Sequence, residues 1–130
     1  MSVRAASHAY NSHLVLDAIS FSLQSGQIGC LLGPSGCGKT TMLRCIAGFE
    51  RLTGGDIVLH GEVMSRSGWT VPPERRRTGM VFQDYALFPH LNVADNIAVV
   101  PRLEQWPDDR VSMRVRELLE LIGLAPETYI

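Results

Sequence analysis

The sequence predicts an α/β fold in which a buried strand leads through a glycine-rich loop into an α-helix. Residues 27–32 (QIGCLL) form a short apolar run, which is typical of a strand buried on both faces. From Thr40 onward the apolar residues fall at helical spacing, and Gly48 can end that helix. Residues 33–40 (GPSGCGKT) join the two elements. This succession of strand, glycine-rich loop and helix is the basis of the fold prediction.

The remaining strands are predicted from the alternation of apolar and polar residues. The first forty residues are predicted to be strands, and residues 13–23 (HLVLDAISFSL) alternate as a half-buried strand pair does. Residues 56–63 (DIVLHGEV) predict a further strand. Residues 79–83 (GMVFQ) predict another short buried strand.

Two helices are predicted in the last third of the chain. Residues 93–100 can form a short helix that Pro101 ends. The other helix starts at Pro107 or Asp108, and Gly123 caps it. Its apolar stripe consists of Val111, Val115, Leu118, Leu119 and Ile122.

Composition and charge exclude several classes of function. The chain has 130 residues and a formal net charge of −1, so there is no broad electrostatic case for nucleic acid as a partner. The run Arg75-Arg76-Arg77 lies within the polar residues 64–78 and is predicted to be the solvated face of an exposed loop. The three cysteines lack the spacing of a zinc site and are expected to be reduced thiols. No targeting segment is visible, and the apolar runs are far shorter than the ~20 residues that span a bilayer.

Residues 33–40 match G-x-x-x-x-G-K-[ST], the pattern of a phosphate-binding loop, called the phosphate loop below. Its glycines let backbone N–H groups point inward at phosphate oxygens, and the following helix adds the positive end of its dipole. Lys39, the only lysine among 12 basic residues, is expected to contact the terminal phosphates. The Thr40 hydroxyl is expected to bind Mg²⁺, and Thr41 to contact the phosphate nearer the sugar. The predicted nucleotide-binding residues here are Gly33, Pro34, Ser35, Gly36, Cys37, Gly38, Lys39, Thr40 and Thr41.

Two stretches of the chain point to a particular family. CLLGPSGCGKTTMLRCIAGFE, followed by GMVFQDYALFPHLNVADNIA, resembles the ATP-binding subunit of ATP-binding cassette (ABC) importers. The second stretch carries more weight, because phosphate-loop proteins in general lack it. The resemblance implies a P-loop NTPase fold of the ABC nucleotide-binding type, with an antiparallel β subdomain, core strands around the phosphate-loop helix, and the start of a helical subdomain. Residues 1–130 are accordingly predicted to be a partial ABC ATP-binding domain.

The resemblance also implies roles for residues outside the phosphate loop. Gln83 matches the Q-loop glutamine, which reaches Mg²⁺ and the attacking water, and the end of a buried strand is a suitable place for such a residue. Tyr10 matches the aromatic residue that stacks on adenine through its ring face. The implied ligands are ATP and Mg²⁺. His90 is assigned to coupling with a membrane-spanning partner and not to catalysis.

Partners, location and substrate are likewise implied by the family. Membrane-spanning permease subunits are expected to contact residues Tyr85 to His90. A second ATP-binding subunit is expected to complete a homodimer of the full-length form. A periplasmic or extracellular binding protein is expected to be an indirect partner. No nucleic acid partner is expected. The expected location is the cytoplasmic face of the membrane, as a peripheral subunit. Residues 71–77 (VPPERRR) look most like those of ferric-iron importers. Close relatives of that type carry phosphonate, polyamine, sulfate or sugars.

Motifs from the second half of such domains do not occur in residues 1–130. These are the LSGGQ signature, the Walker B strand, the catalytic glutamate and the switch histidine. The family implies an ATPase, but without the catalytic base these residues are expected to bind ATP–Mg²⁺ and not to hydrolyse it unaided. The two apolar strands 27–32 and 79–83 need neighbours on each side. The chain is therefore expected to be poorly stable alone or to depend on a partner.

Three other interpretations compete with the importer subunit. The chain could be a truncated, non-hydrolysing nucleotide-binding remnant or pseudoenzyme. It could be an ABC ATPase that acts outside transport, although the sequence from Tyr85 to His90 argues against that. A small-molecule kinase could share the phosphate loop but has no need of Gln83 and the segment after it.

Overall fold

The computed structural model describes residues 1–125, which divide after Met80 into two compact units. The first unit contains an antiparallel sheet and one α-helix, and the second contains two α-helices. No helix within residues 1–125 is both long and apolar enough to cross a bilayer.

The sheet of the first unit has five strands. They are β1 (Ser2–Tyr10), β2 (His13–Ser22), β3 (Gly54–Leu59), β4 (Glu62–Arg66) and β5 (Trp69–Thr70). Their order is β2-β1-β3-β4-β5, and each neighbouring pair is antiparallel. Strands β1 and β2 lie within the first forty residues, which were predicted to be strands, but no strand follows Ser22 there. The single strand predicted over residues 56–63 is wrong. The chain reverses at His60 and Gly61, whose φ values of 51° and 81° suit a tight hairpin turn between β3 and β4.

Helix α1 (Lys39–Ala47) packs on this sheet and confirms the helix predicted after the phosphate loop. It ends at Gly48, which has a φ of 94° and donates its N–H to the carbonyls of Arg44 and Cys45. The core between α1 and the sheet consists of Val3, Ala6, Leu16, Met42, Cys45, Leu52, Ile57, Leu59 and Met64.

The two predicted core strands, 27–32 and 79–83, are not strands in this structure. Neither segment belongs to the sheet, and residues 27–32 are exposed throughout, with Ile28 99% exposed. Val81 is also largely exposed. The physical reason is that a strand exists only as part of a hydrogen-bonded ladder. Neither segment is paired with any strand of the sheet that the described residues form.

The second unit consists of α2 (Val93–Leu103) and α3 (Asp108–Leu121) packed through a small apolar cluster. The prediction that Pro101 ends the first helix is wrong, because α2 continues through it to Leu103. A proline this close to the C-terminal end removes a single hydrogen bond, and the Glu104 N–H still reaches the Val100 carbonyl. The predicted stripe of α3 is largely confirmed, but Ile122 lies outside the helix and is exposed. The buried residues are Ala94, Ala98, Val111, Val115 and Leu119.

Arg76 contradicts the prediction that residues 64–78 are an exposed loop with a solvated arginine run. Its flanking residues Arg75 and Arg77 are exposed, but Arg76 is only 1% exposed. The Arg76 guanidinium donates six hydrogen bonds, all to neutral oxygens at 2.6–3.2 Å. The acceptors are the carbonyls of Cys45, Ile46, Met64 and Val71 and the hydroxyls of Ser65 and Thr70. Burial lowers the pKa of this guanidinium, and the nearby Cys45 opposes that shift.

Gly48 makes room for Arg76. A Cβ at residue 48 would collide with Nε of the guanidinium, and the positive φ there already disfavours other residues. Glycine therefore both ends α1 and lets the guanidinium approach the last carbonyls of the helix. The end of α1 and strands β4 and β5 are joined through this one side chain.

We predict that Arg76→Met lowers the free energy of unfolding of the first unit by about 3–5 kcal/mol, because four carbonyls and two hydroxyls each lose one hydrogen bond in the interior. Urea denaturation followed by circular dichroism measures this change. Arg75→Met is the matched control, and its exposed position predicts a change within about 0.5 kcal/mol. Equal effects of the two substitutions would contradict the role assigned to Arg76.

Candidate phosphate-binding site

Within the phosphate loop, Gly38 caps the N-terminus of α1, and Lys39 and Thr40 form the start of the helix. Gly38 has a φ of 100°, and a Cβ there would lie 2.9 Å from Cδ2 of Leu16 and 3.0 Å from the carbonyl oxygen of Val15. Only glycine fits this position without strain. The loop is therefore tightly packed against β2 on one side, while Gly33 to Cys37 are exposed on the other.

The N-terminus of α1 is well suited to bind an anion. No side chain caps it, and its first turn contains no acidic residue. The first N–H groups of a helix have no partner within the helix, and the helix dipole adds positive potential at that end. Such unpaired backbone N–H groups are the kind of donor that binds phosphate at helix N-termini.

Lys39 is the first residue of α1 and is half-buried. Its Nζ donates to the carbonyl oxygens of Gly33 at 2.6 Å and Pro34 at 2.7 Å, and it lies 3.6 Å from Sγ of Cys37. The ammonium group is therefore folded back over the phosphate loop. Its partners are neutral carbonyls, so a phosphate oxygen can replace them with a gain in electrostatic energy.

The two threonines of α1 have different surroundings. Thr40 is exposed at the first turn, where its hydroxyl can bind a cation held by a phosphate. Thr41 is half-buried and interacts with the hydroxyl of Tyr10. Within residues 1–125 there is no cluster of three or more histidine, cysteine or acidic side chains able to hold a metal ion. The exposed Thr40 hydroxyl fits Mg²⁺, which protein sites commonly hold through few side chains together with phosphate oxygens and water.

Tyr10 lies at the end of β1 and is brought close to the first turn of α1. Its hydroxyl donates to Oε1 of Glu50 at 2.9 Å, and its ring meets that of His8 edge to face at 4.4 Å. Partial burial and the Glu50 carboxylate raise the pKa of Tyr10, so the phenol stays neutral at physiological pH. Glu50 also lies 3.8 Å from Arg44 and 3.9 Å from His8.

The group around Glu50 was not found by sequence reasoning. His8 is buried, with Nδ1 hydrogen bonded to the carbonyl of Arg51 at 2.5 Å and Nε2 without a hydrogen-bond partner. His8 and Glu50 do not belong to the phosphate-loop motif. They lie far apart in the sequence, and the pairing of β1 with β3 brings them close together. The sequence carries no local signal for it.

Gln83 belongs to the second unit and is exposed in a turn. The turn follows a segment that was expected to be a strand and is not one. The role of Gln83 as a ligand of Mg²⁺ and water stays a prediction, as does the adenine-stacking role of Tyr10.

Comparison with known proteins identifies the family. A family model described as ABC transporter matches residues 16–129. Among similar proteins is the spermidine/putrescine import ATP-binding protein PotA of Acidothermus cellulolyticus, 46% identical over 95% of this chain and 32% of its own length. The protein of the same name from Thermotoga maritima is 43% identical over 95% of this chain and 33% of its own length. That from Oleidesulfovibrio alaskensis is 42% identical over 94% of this chain and 32% of its own length. The chain therefore belongs to the ABC transporter family, and it spans about a third of the length of these relatives.

The cysteines near the site provide a test of its local structure. Cys30 and Cys37 are exposed, whereas Cys45 is buried in α1, and burial raises the pKa of its thiol to about 11. We predict that iodoacetamide at pH 8 modifies Cys30 and Cys37 but not Cys45, because a buried thiol far below its pKa does not form the reactive thiolate. Peptide mass spectrometry measures this, with urea-denatured protein as the control in which all three react. Rapid modification of Cys45 in the native protein would contradict the packing described.

Proposed function

We propose that residues 1–130 form the ATP-binding part of an ABC importer subunit and hold the triphosphate of ATP with Mg²⁺. The observation that carries this proposal is the uncapped N-terminus of α1 beside an exposed loop and an ammonium group whose partners, two carbonyls and the Cys37 thiol, are all neutral. Membership of the ABC transporter family supports it. The family as a whole points to ATP hydrolysis that drives transport.

Each residue of the site has a distinct task in this proposal. Backbone N–H groups of the phosphate loop hold the phosphates, and Lys39 exchanges its carbonyl partners for the terminal phosphates. Thr40 holds Mg²⁺, which shields the phosphate charge. Tyr10 stacks on adenine, and Gln83 orients Mg²⁺ and the attacking water. Residues 1–130 contain no apolar strand ending in Asp-Glu, so we assign the catalytic base to no residue among them.

The proposed partners follow from the importer assignment. Permease subunits contact the segment Tyr85 to His90, a second ATP-binding subunit pairs with this one, and a binding protein delivers the substrate to the permease. The proposed location is the cytoplasmic face of the membrane. The apolar side chains that are exposed in residues 27–32 and at Val81 support a domain completed by other protein segments, as expected for a partial ABC domain. A nucleotide-binding remnant that never pairs with such segments is the alternative.

The transported substrate is proposed from the relatives, because the permease and binding protein select it. Three similar proteins are named for spermidine and putrescine import. These names favour a polyamine over the ferric iron that residues 71–77 suggested, and no comparison supports iron.

We predict that Lys39→Gln weakens ATP binding about 10- to 100-fold, because a charged hydrogen bond to phosphate is replaced by a neutral one. Isothermal titration with ATP–Mg²⁺ measures the dissociation constant. Arg75→Gln removes one positive charge from an exposed position of the same unit and is the matched control. The proposal fails if Lys39→Gln leaves the affinity unchanged or if the control lowers it equally.

We predict that disruption of the gene abolishes uptake of labelled spermidine or putrescine and leaves ferric-iron uptake unchanged. The same cells complemented with the intact gene are the control for each label. Complementation with the Lys39→Gln form is expected to leave polyamine uptake low. Loss of iron uptake alone would favour the original substrate prediction, and no change in either would favour a remnant.

A further inference from the structure

The segment from Tyr85 to His90 projects apolar and aromatic side chains into solvent. Tyr85 is 75% exposed, and Leu87 and Phe88 are exposed as well. Tyr85 and Ala86 both have positive φ values, 61° and 49°, which non-glycine residues adopt only when the surrounding structure holds them. The exposed segment therefore has a defined shape that needs support from elsewhere in the second unit.

Asn96, on the first turn of α2, provides much of that support. Its Oδ1 accepts the N–H of Phe88 at 2.9 Å, and its Nδ2 donates to the Phe88 carbonyl at 3.2 Å. The same Nδ2 donates to the carbonyls of Leu91 at 3.0 Å and Asn92 at 2.9 Å. Both polar backbone groups of Phe88 are thus bonded to one side-chain amide. These two hydrogen bonds fix the backbone of Phe88 to α2.

The chemistry of this contact requires an amide. Three carbonyl oxygens face Nδ2 of Asn96, so an oxygen in its place would face three acceptors and donate nothing. An aspartate has the same shape as asparagine but puts an oxygen in that place. Asn92 differs, because its side chain only accepts, from the N–H of Asp95 at 2.7 Å, and aspartate can do the same.

We propose that Asn96 is a positioning residue for the membrane-spanning partner, holding Phe88 in the orientation that the permease binds. The inference rests on the proposed function, in which the segment from Tyr85 to His90 contacts the permease. Asn96 acts through Phe88. Its side chain bonds to Phe88 of the segment and to the carbonyls of Leu91 and Asn92, which connect the segment to α2.

The test uses the complete subunit and the detergent-purified permease subunits of the same transporter. We expect Asn96→Asp to raise the dissociation constant for the permease at least about tenfold. The aspartate loses the N–H donors of the amide, and its carboxylate oxygen is repelled by the carbonyls of Phe88, Leu91 and Asn92. Asn92→Asp adds the same charge four residues away, keeps its cap, and is expected to change this constant less than about twofold. Affinity for ATP–Mg²⁺ is expected to be unchanged in both.

A double mutant separates positioning from general destabilisation. Phe88→Ala alone is expected to weaken permease binding, and adding Asn96→Asp to it is expected to weaken binding little further, because Asn96 acts through Phe88. If the two effects multiply, or if ATP affinity falls with Asn96→Asp, the positioning role is overturned. If Phe88→Ala weakens binding and Asn96→Asp does not, this inference alone fails. If neither substitution matters, the permease contact in the proposed function is wrong as well.

Discussion

The guanidinium of Arg76 is the interaction on which the first unit depends. It lies where the last turn of α1 meets strands β4 and β5, and its six acceptors come from all of these elements and from Val71. Removing a charge from water is costly unless every donor finds a partner. The planar fork of arginine meets this requirement by spreading its donors over several directions, whereas a lysine ammonium concentrates its donors at one point.

This contact also fixes α1, the helix whose N-terminus forms the candidate phosphate site. Helix α1 is held at its C-terminal end by Arg76, where a positive charge is favourable to the helix dipole, and its N-terminal end forms the phosphate loop. The two ends of a nine-residue helix are about 13 Å apart. A rigid helix therefore links the buried hydrogen-bond network to the exposed phosphate site, and the orientation of the site depends on residues that the motif does not include.

The phosphate loop and α1 could be predicted from the sequence because their signals are local. Gly38, Lys39 and Gly48 are read from one short stretch, and α1 begins directly after Gly38 and ends at Gly48, within one residue of the predicted start. Arg76 could not be predicted, since it is the middle of three identical residues and its burial depends on Cys45, 31 positions earlier. For residues 27–32 the sequence predicts a buried strand that the structure does not contain. Their apolar pattern is that of a strand, but the pattern cannot show whether a neighbouring strand is present to pair with it.

The contrast between Arg76 and Lys39 explains why the single lysine lies where it does. Arg76 satisfies its donors with oxygens of the fold itself, so that it is 1% exposed and its bonds cannot be exchanged without disrupting the core. Lys39 has two carbonyl partners at the rim of an exposed loop, and its long flexible side chain can reach other acceptors at little cost. A structural cation benefits from fixed geometry, whereas a cation that must bind and release phosphate benefits from freedom to move. In a chain whose 11 other basic residues are arginines, the only lysine lies at the position proposed to exchange its partners for phosphate.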